Sequence, residues 1–136
     1  MRLSAFLFVF LFVSLTFAQE MAAPTVDELS VCTAVEDRQP VGVNTEFGSD
    51  VGTLYCFTKV SGAAADSSIS HVWYYNDKEM ARIKLNVRAD AWRTWSSKKI
   101  MEDWVGNWRV DVESASGSVL KSQAFTISAP PAAKTQ

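Results

Sequence analysis

The stretch HVWYY at 71–75, followed by NDKE at 76–79, decides the fold of this chain. Aromatic and β-branched residues are typical of strands, whereas Asn and Asp favour turns. Beyond this turn, Ile83, Leu85 and Val87 alternate with polar residues, which indicates a strand with one buried face. The segment therefore predicts two strands joined by a β-hairpin.

The rest of the chain repeats this pattern and contains no segment that keeps a helical apolar period. Trp108, Val110 and Val112 alternate with polar residues, and the small residues of 114–118 predict a second hairpin. Further strands are predicted at 29–36, 53–60, 92–96 and 119–127. We therefore expect an all-β fold, an immunoglobulin-like two-sheet β-sandwich of about seven antiparallel strands. A true immunoglobulin domain has its core tryptophan between its two cysteines, whereas Trp73 follows both.

The first residues predict export. The apolar run 3–17 is shorter than the roughly 20 residues of a membrane span, and the spacing of Thr16 and Ala18 suits cleavage after Ala18. We expect a signal peptide at 1–18, a single domain at 19–128 and a disordered tail at 129–136, in a periplasmic or secreted protein. An uncleaved membrane anchor is the alternative; after cleavage no stable membrane span remains.

Charge and cysteine content narrow the function. The chain has 13 basic and 15 acidic residues, and loss of Arg2 with the signal peptide makes it more acidic, which argues against a nucleic-acid partner. Cys32 and Cys56 are the only cysteines, and in an exported protein we expect a disulfide between them; two buried thiols are the alternative. Two cysteines and one histidine are too few for a structural zinc site, and we expect no cofactor.

The HVWYY motif has two possible orientations. In a strand, His71, Trp73 and Tyr75 share one face, whereas Val72 and Tyr74 share the other. If the first face is buried, Trp73 is the central core tryptophan and His71 is its hydrogen-bonded neighbour. If it is exposed, the three side chains form a platform for a sugar ring or a peptide.

The WRTWS motif at 92–96 has the same alternation. Trp92 and Thr94 share one face, and Arg93 and Trp95 share the other, so one tryptophan should be buried and the other exposed. If Trp95 is the outer one, Arg93 lies beside an exposed aromatic ring.

Arg93 also has two interpretations. With Lys98, Lys99 and Arg109 it could form a basic patch that binds a carboxylate or phosphate. The alternative is a structural arginine that pairs with an acidic residue such as Asp111.

The sequence resembles a known bacterial family, domain of unknown function 2914. Its most specific parts are HVWY at 71–74 and WRTWSSK at 92–98. The resemblance covers nearly the whole mature chain and also rests on CTAVEDRQPVG at 32–42, LYCFTKVSGA at 54–63, GNWRVDV at 106–112 and GSVLKSQAFTI at 117–127. It implies an exported or membrane-attached protein without an assigned activity, and it supplies no catalytic residues.

No complete catalytic set is visible. Glu102 and Asp103 are adjacent and belong to a predicted turn, and His71 has hydroxyl neighbours in Ser70 and Ser96 without a nucleophile motif. We therefore predict a non-catalytic exported module that binds a cell-envelope glycan or an exported protein. The predicted ligand-binding residues are His71, Trp73, Tyr75, Trp92, Arg93 and Trp95. The alternative is a structural or adaptor domain whose aromatic motifs only form the core.

Overall fold

A computed structural model describes residues 23–130 and consists of β-strands joined by turns. In chain order the strands are β1 (Thr25–Cys32), β2 (Ala34–Glu36), β3 (Gln39–Val41), β4 (Glu46–Gly48), β5 (Thr53–Ser61), β6 (Ser67–Tyr75), β7 (Lys78–Val87), β8 (Trp92–Lys99), β9 (Gly106–Ser114) and β10 (Val119–Ser128). The signal peptide predicted at 1–18 lies outside the described residues, as does most of the tail predicted at 129–136. Within the described part, no helix is long and apolar enough to span a membrane.

The strands form two main sheets and a small ribbon. The three-stranded sheet has the order β1-β5-β8, and the five-stranded sheet has the order β4-β10-β9-β6-β7. All neighbours are antiparallel except β4 and β10, which run parallel. The ribbon consists of β2 and β3.

The predicted β-sandwich is confirmed, with one difference in the number of strands. Seven strands have eight residues or more, and the other three have only three residues each. The strand predicted at 29–36 is in fact the end of β1 followed by β2, because a bend at Thr33 interrupts the strand. Strand β4 lies in a segment where no strand was predicted, since three residues are too few to show an alternating pattern.

The predicted hairpin between β6 and β7 is present. Its two turn residues, Asn76 and Asp77, have φ angles of 46° and 64°. Two consecutive positive φ angles define the turn type whose twist matches that of antiparallel strands, and Asn and Asp tolerate this conformation. The hairpin between β9 and β10 is also present, and Gly117 supplies its positive φ of 88°.

The core lies between the two sheets. The three-stranded sheet contributes Leu29, Val31, Leu54, Cys56 and Val60, and the five-stranded sheet contributes Ile69, Trp73, Trp108, Val110, Val112, Phe125 and Ile127. The ring of Trp73 meets that of Phe125 edge to face, with centroids 6.2 Å apart. The aromatic-rich segment thus occupies the centre of the sandwich.

Candidate functional site

A buried polar cluster joins the two sheets. His71 and Trp73 of β6 are both 0% exposed. The two imidazole nitrogens of His71 contact hydroxyl groups from the opposite sheet: Nε2 lies 2.7 Å from Thr58 Oγ1, and Nδ1 lies 2.7 Å from Ser96 Oγ. The indole nitrogen of Trp73 also donates to Ser96 Oγ, at 3.2 Å. Three strands, β5, β6 and β8, therefore meet in one hydrogen-bond network.

One direction in this network is fixed. The Trp73 indole nitrogen can only donate, so the Ser96 oxygen accepts this bond. A neutral imidazole has one ring N–H, so His71 donates one of its two hydroxyl bonds and accepts the other. Burial lowers the pKa of His71 to about 4, because a charged imidazolium would lose its hydration there. His71 is therefore a neutral, internally satisfied group at neutral pH.

The exposed platform predicted from HVWYY is not formed. His71 and Trp73 are fully buried, and Tyr75 is half-buried with its hydroxyl donating to the Val105 carbonyl oxygen at 2.7 Å. The alternative prediction, a core tryptophan beside a hydrogen-bonded histidine, matches the structure. Alternation of side chains predicts that one face of this strand is buried. It does not identify the buried face, because both faces are rich in aromatic or β-branched residues.

In the WRTWS motif, the predicted separation of the two tryptophans is confirmed. Trp92 is half-buried and packs against the core, whereas Trp95 is 38% exposed on the outer face of the three-stranded sheet. The Trp95 ring stacks on the buried ring of Phe57 on β5, with centroids 6.4 Å apart and an angle of 17° between the planes. Trp95 thus presents a flat apolar surface that a second aromatic ring holds in place.

Basic residues adjoin this aromatic surface. Arg93 lies two residues before Trp95 on the same face of β8, and Lys59 is its cross-strand partner on β5. Within residues 23–130, neither Arg93 nor Lys59 has a carboxylate within 4.0 Å. We call the surface formed by Lys59, Arg93 and Trp95, with the buried Phe57 supporting the Trp95 ring, the outer aromatic face. It combines a stacked indole with two cationic groups.

The basic patch predicted from sequence is divided in the structure. Arg109 lies on the five-stranded sheet, bound to Asp77 at 2.6 Å and to Asp111 at 3.1 Å. The proposed pairing of Arg93 with Asp111 is therefore wrong. Lys98 is not on the face of Arg93 either; its amino group lies 4.9 Å from the centre of the Trp104 ring.

Three residues of these sites were missed: Phe57, Thr58 and Lys59. They lie in segment 53–60, which was predicted as a strand without any site residue. Only the pairing of β5 with β8 shows that Phe57 supports Trp95 and that Lys59 lies beside Arg93. Sequence patterns do not specify this register, because β5 and β8 are separated by two other strands.

The predicted disulfide is absent, since Cys32 and Cys56 are free, buried thiols. Cys56 is paired with Val31, and Cys32 is paired with Tyr55. Residues opposite each other share a face, so the two thiols project from opposite faces of the sheet. A disulfide requires Cβ atoms that face each other about 4 Å apart. Burial raises the pKa of both thiols, which keeps them protonated.

The fold and these clusters define an all-β sandwich with a buried polar network and one outer aromatic face. Residues 66–127 match the family described as "Protein of unknown function (DUF2914)". This match supports the family predicted from the sequence resemblance. The match runs from the start of β6 almost to the end of β10, and is shorter than the resemblance, which began before β2. No curated protein matches the chain.

Proposed function

We propose that this protein is a non-catalytic, exported binding module that holds an acidic cell-envelope glycan on the outer aromatic face. The observation that carries the proposal is the exposed Trp95 ring, stacked on Phe57 beside Arg93 and Lys59. The exposed part of the Trp95 ring adds little to folding stability, whereas recognition surfaces are enriched in tryptophan and arginine.

The chemistry of the face supports an acidic sugar. The apolar C–H surface of a sugar ring matches the flat Trp95 indole, and the carboxylate of a uronic acid matches the guanidinium of Arg93. Lys59 adds a second positive charge on the neighbouring strand. A neutral sugar would leave both cations without a partner.

The absence of catalysis is part of the proposal. His71 is the chain's only histidine, and its side chain is closed to solvent between the sheets. Glu102 and Asp103 are exposed neighbours in a turn, so they do not face each other across a bond as glycosidase carboxylates do. Incubation of the protein with the ligand should therefore release no product.

The binding test uses an oligomer of a uronic acid as probe, with calorimetric titration of the purified protein. Arg93→Ala should weaken binding about tenfold or more, because a charge-assisted hydrogen bond contributes about 1.5 to 3 kcal/mol. The matched control is Arg88→Ala, an exposed arginine after β7, which should bind as the unchanged protein does. If Arg93→Ala and Trp95→Ala both bind the oligomer as tightly as the unchanged protein does, the site is rejected.

A second candidate is a structural or adaptor domain, favoured by the complete burial of His71 and Trp73. In that case the uronic acid oligomer should not bind, and a partner protein should bind in its place, with affinity unaffected by Arg93→Ala.

Export is tested separately: the protein isolated from the envelope or medium of an expressing bacterium should begin at Gln19.

A further inference from the structure

A concave surface lies on the other side of the molecule from Trp95, on the outer face of the five-stranded sheet. Two adjoining depressions of about 320 and 350 Å³ share Asn107, Trp108 and Ala124 as lining residues. The first extends to Tyr74 on β6, and the second extends to Glu46 on β4. Together they form one groove across four strands, which corresponds to a length of about 14 Å at ordinary strand spacing. We call it the cross-strand groove.

The strand register explains why the surface is hollow here. Ala124 of β10 is paired with Arg109 of β9, and the next outward pair is Thr126 with Asn107. Thr126 is in turn paired with Glu46 of β4. The methyl group of Ala124 therefore lies among longer side chains, which form the walls around it.

One wall of the groove is rigid. The guanidinium of Arg109 lies 4.0 Å from the centre of the Tyr74 ring. It also donates to Asp77 at 2.6 Å and to Asp111 at 3.1 Å, and Asp111 accepts a further bond from Ser122 at 2.7 Å. These contacts hold the guanidinium in one orientation before any ligand arrives, which reduces the entropy lost on binding.

The same contacts outweigh the positive charge of this wall. Two carboxylates, those of Asp77 and Asp111, bind the one guanidinium, so the wall carries a net negative charge, unlike the surface beside Trp95. The two bonds use two of the five N–H groups of an arginine, which leaves three donors for a ligand. Arg109 thus offers hydrogen bonds to neutral acceptors without attracting anions.

The opposite wall offers both donors and acceptors. Asn107 is exposed, and its amide group can donate and accept at the same time. Glu46 is exposed at the far end and adds an acceptor. Neighbouring hydroxyl groups of a sugar present the same mixture of donors and acceptors.

We propose that the cross-strand groove is a binding site for a neutral oligosaccharide. The ligand lies along the groove over Ala124, with hydroxyl groups bound by Arg109 on one side and by Asn107 on the other. The extended shape suits a chain of linked rings, and the net negative charge, which repels an acidic sugar, separates this site from the acidic-glycan site proposed for the outer aromatic face. The two sites lie on opposite sheets and bind independently.

The test blocks the groove without changing its charge. Ala124 is exposed on a strand, where a phenylalanine is well tolerated, so Ala124→Phe should fill the groove and leave the fold intact. The matched control is Asn86→Phe, an exposed position on the same outer face, at the far edge strand β7. The probes are hexamers of β-1,4-glucose, α-1,4-glucose and β-1,4-N-acetylglucosamine, titrated into the full chain by calorimetry.

We expect at least one neutral hexamer to bind, Ala124→Phe to weaken that binding at least tenfold, and Asn86→Phe to leave it unchanged. Asn107→Ala should weaken it about fivefold, and Trp95→Ala should have no effect. The proposal is overturned if none of the three hexamers binds, or if Ala124→Phe binds them as tightly as the unchanged protein does. Because Trp95→Ala and Arg93→Ala affect only the acidic probe, either proposal can fail alone.

Discussion

The two aromatic motifs, HVWYY and WRTWS, are built from similar residues but have different roles. In the first, both His71 and Trp73 face the opposite sheet and are closed to solvent. In the second, Ser96 points inward and completes their network, whereas Trp95 points outward over Phe57. The difference shows that the residues packed against each face of a strand decide whether an aromatic side chain belongs to the core or to the surface.

The largest effect is expected in the buried motif, HVWYY. Trp73→Ala should lower the free energy of unfolding by about 3 to 5 kcal/mol, because it leaves a cavity at the centre of the core. Trp95→Ala should lower it by only about 1 kcal/mol, since that ring is partly exposed. Urea unfolding measures both. Similar losses for the two variants would remove the distinction between the motifs, and Trp73→Phe replaces Trp73→Ala if the latter does not fold.

The buried histidine predicts a dependence of stability on pH. Its folded pKa is about 4, below the ordinary value of 6.5, so between these values the unfolded state binds more protons. The contribution of neutral His71 to the free energy of unfolding is therefore complete above pH 6.5 and is lost as the pH falls toward 4. Between pH 7 and pH 5, unfolding should become easier by about 2 kcal/mol in the unchanged protein but not in His71→Gln. A pH dependence that persists in the variant would place the titrating group elsewhere.

A smaller effect separates two adjacent serines of β8. Ser96→Ala should lower the free energy of unfolding by about 1 to 3 kcal/mol, since it leaves Trp73 Nε1 and His71 Nδ1 without their partner. Ser97→Ala, on the exposed outer side, should change it by less than about 0.5 kcal/mol. Comparison by chemical denaturation requires no knowledge of the ligand. The reverse order would mean that β8 has the opposite orientation.

The two cysteines should show the smallest effect. Because Cys56 faces the core and Cys32 faces the other side of the same sheet, a reducing agent should leave the unfolding curve unchanged. A thiol reagent should react with neither group in the folded protein and with both after denaturation. A shift of the curve on reduction, which for a loop of this length would be about 3 kcal/mol, would show that a disulfide forms.

The sequence predicted the parts of this fold that depend on local patterns. Alternation located the long strands, and turn residues such as Asn76 and Asp77 located the hairpins. It also separated Trp92 from Trp95, because neighbouring faces of one strand follow from chain geometry. These properties involve residues close together in the chain.

Properties that depend on distant residues were missed. The exposure of HVWYY was left open, because burial of His71 depends on hydroxyl groups of β5 and β8. The disulfide was predicted from residue type and compartment, whereas a register offset of one residue places the thiols on opposite faces. The cross-strand groove exists because Ala124 lies between longer side chains of adjacent strands, which no single segment reveals.

Hydrogen exchange of the indole N–H groups, followed by NMR, tests the central distinction most directly. Trp73→Phe and Trp95→Phe assign the two signals, since each variant loses one. The Trp73 indole proton, buried and bound to Ser96, should exchange slowly, whereas the Trp95 indole proton should exchange rapidly and should shift when the uronic acid oligomer is added. Rapid exchange at Trp73, or a ligand-induced shift there with none at Trp95, would contradict the assignment of one motif to the core and the other to the binding surface.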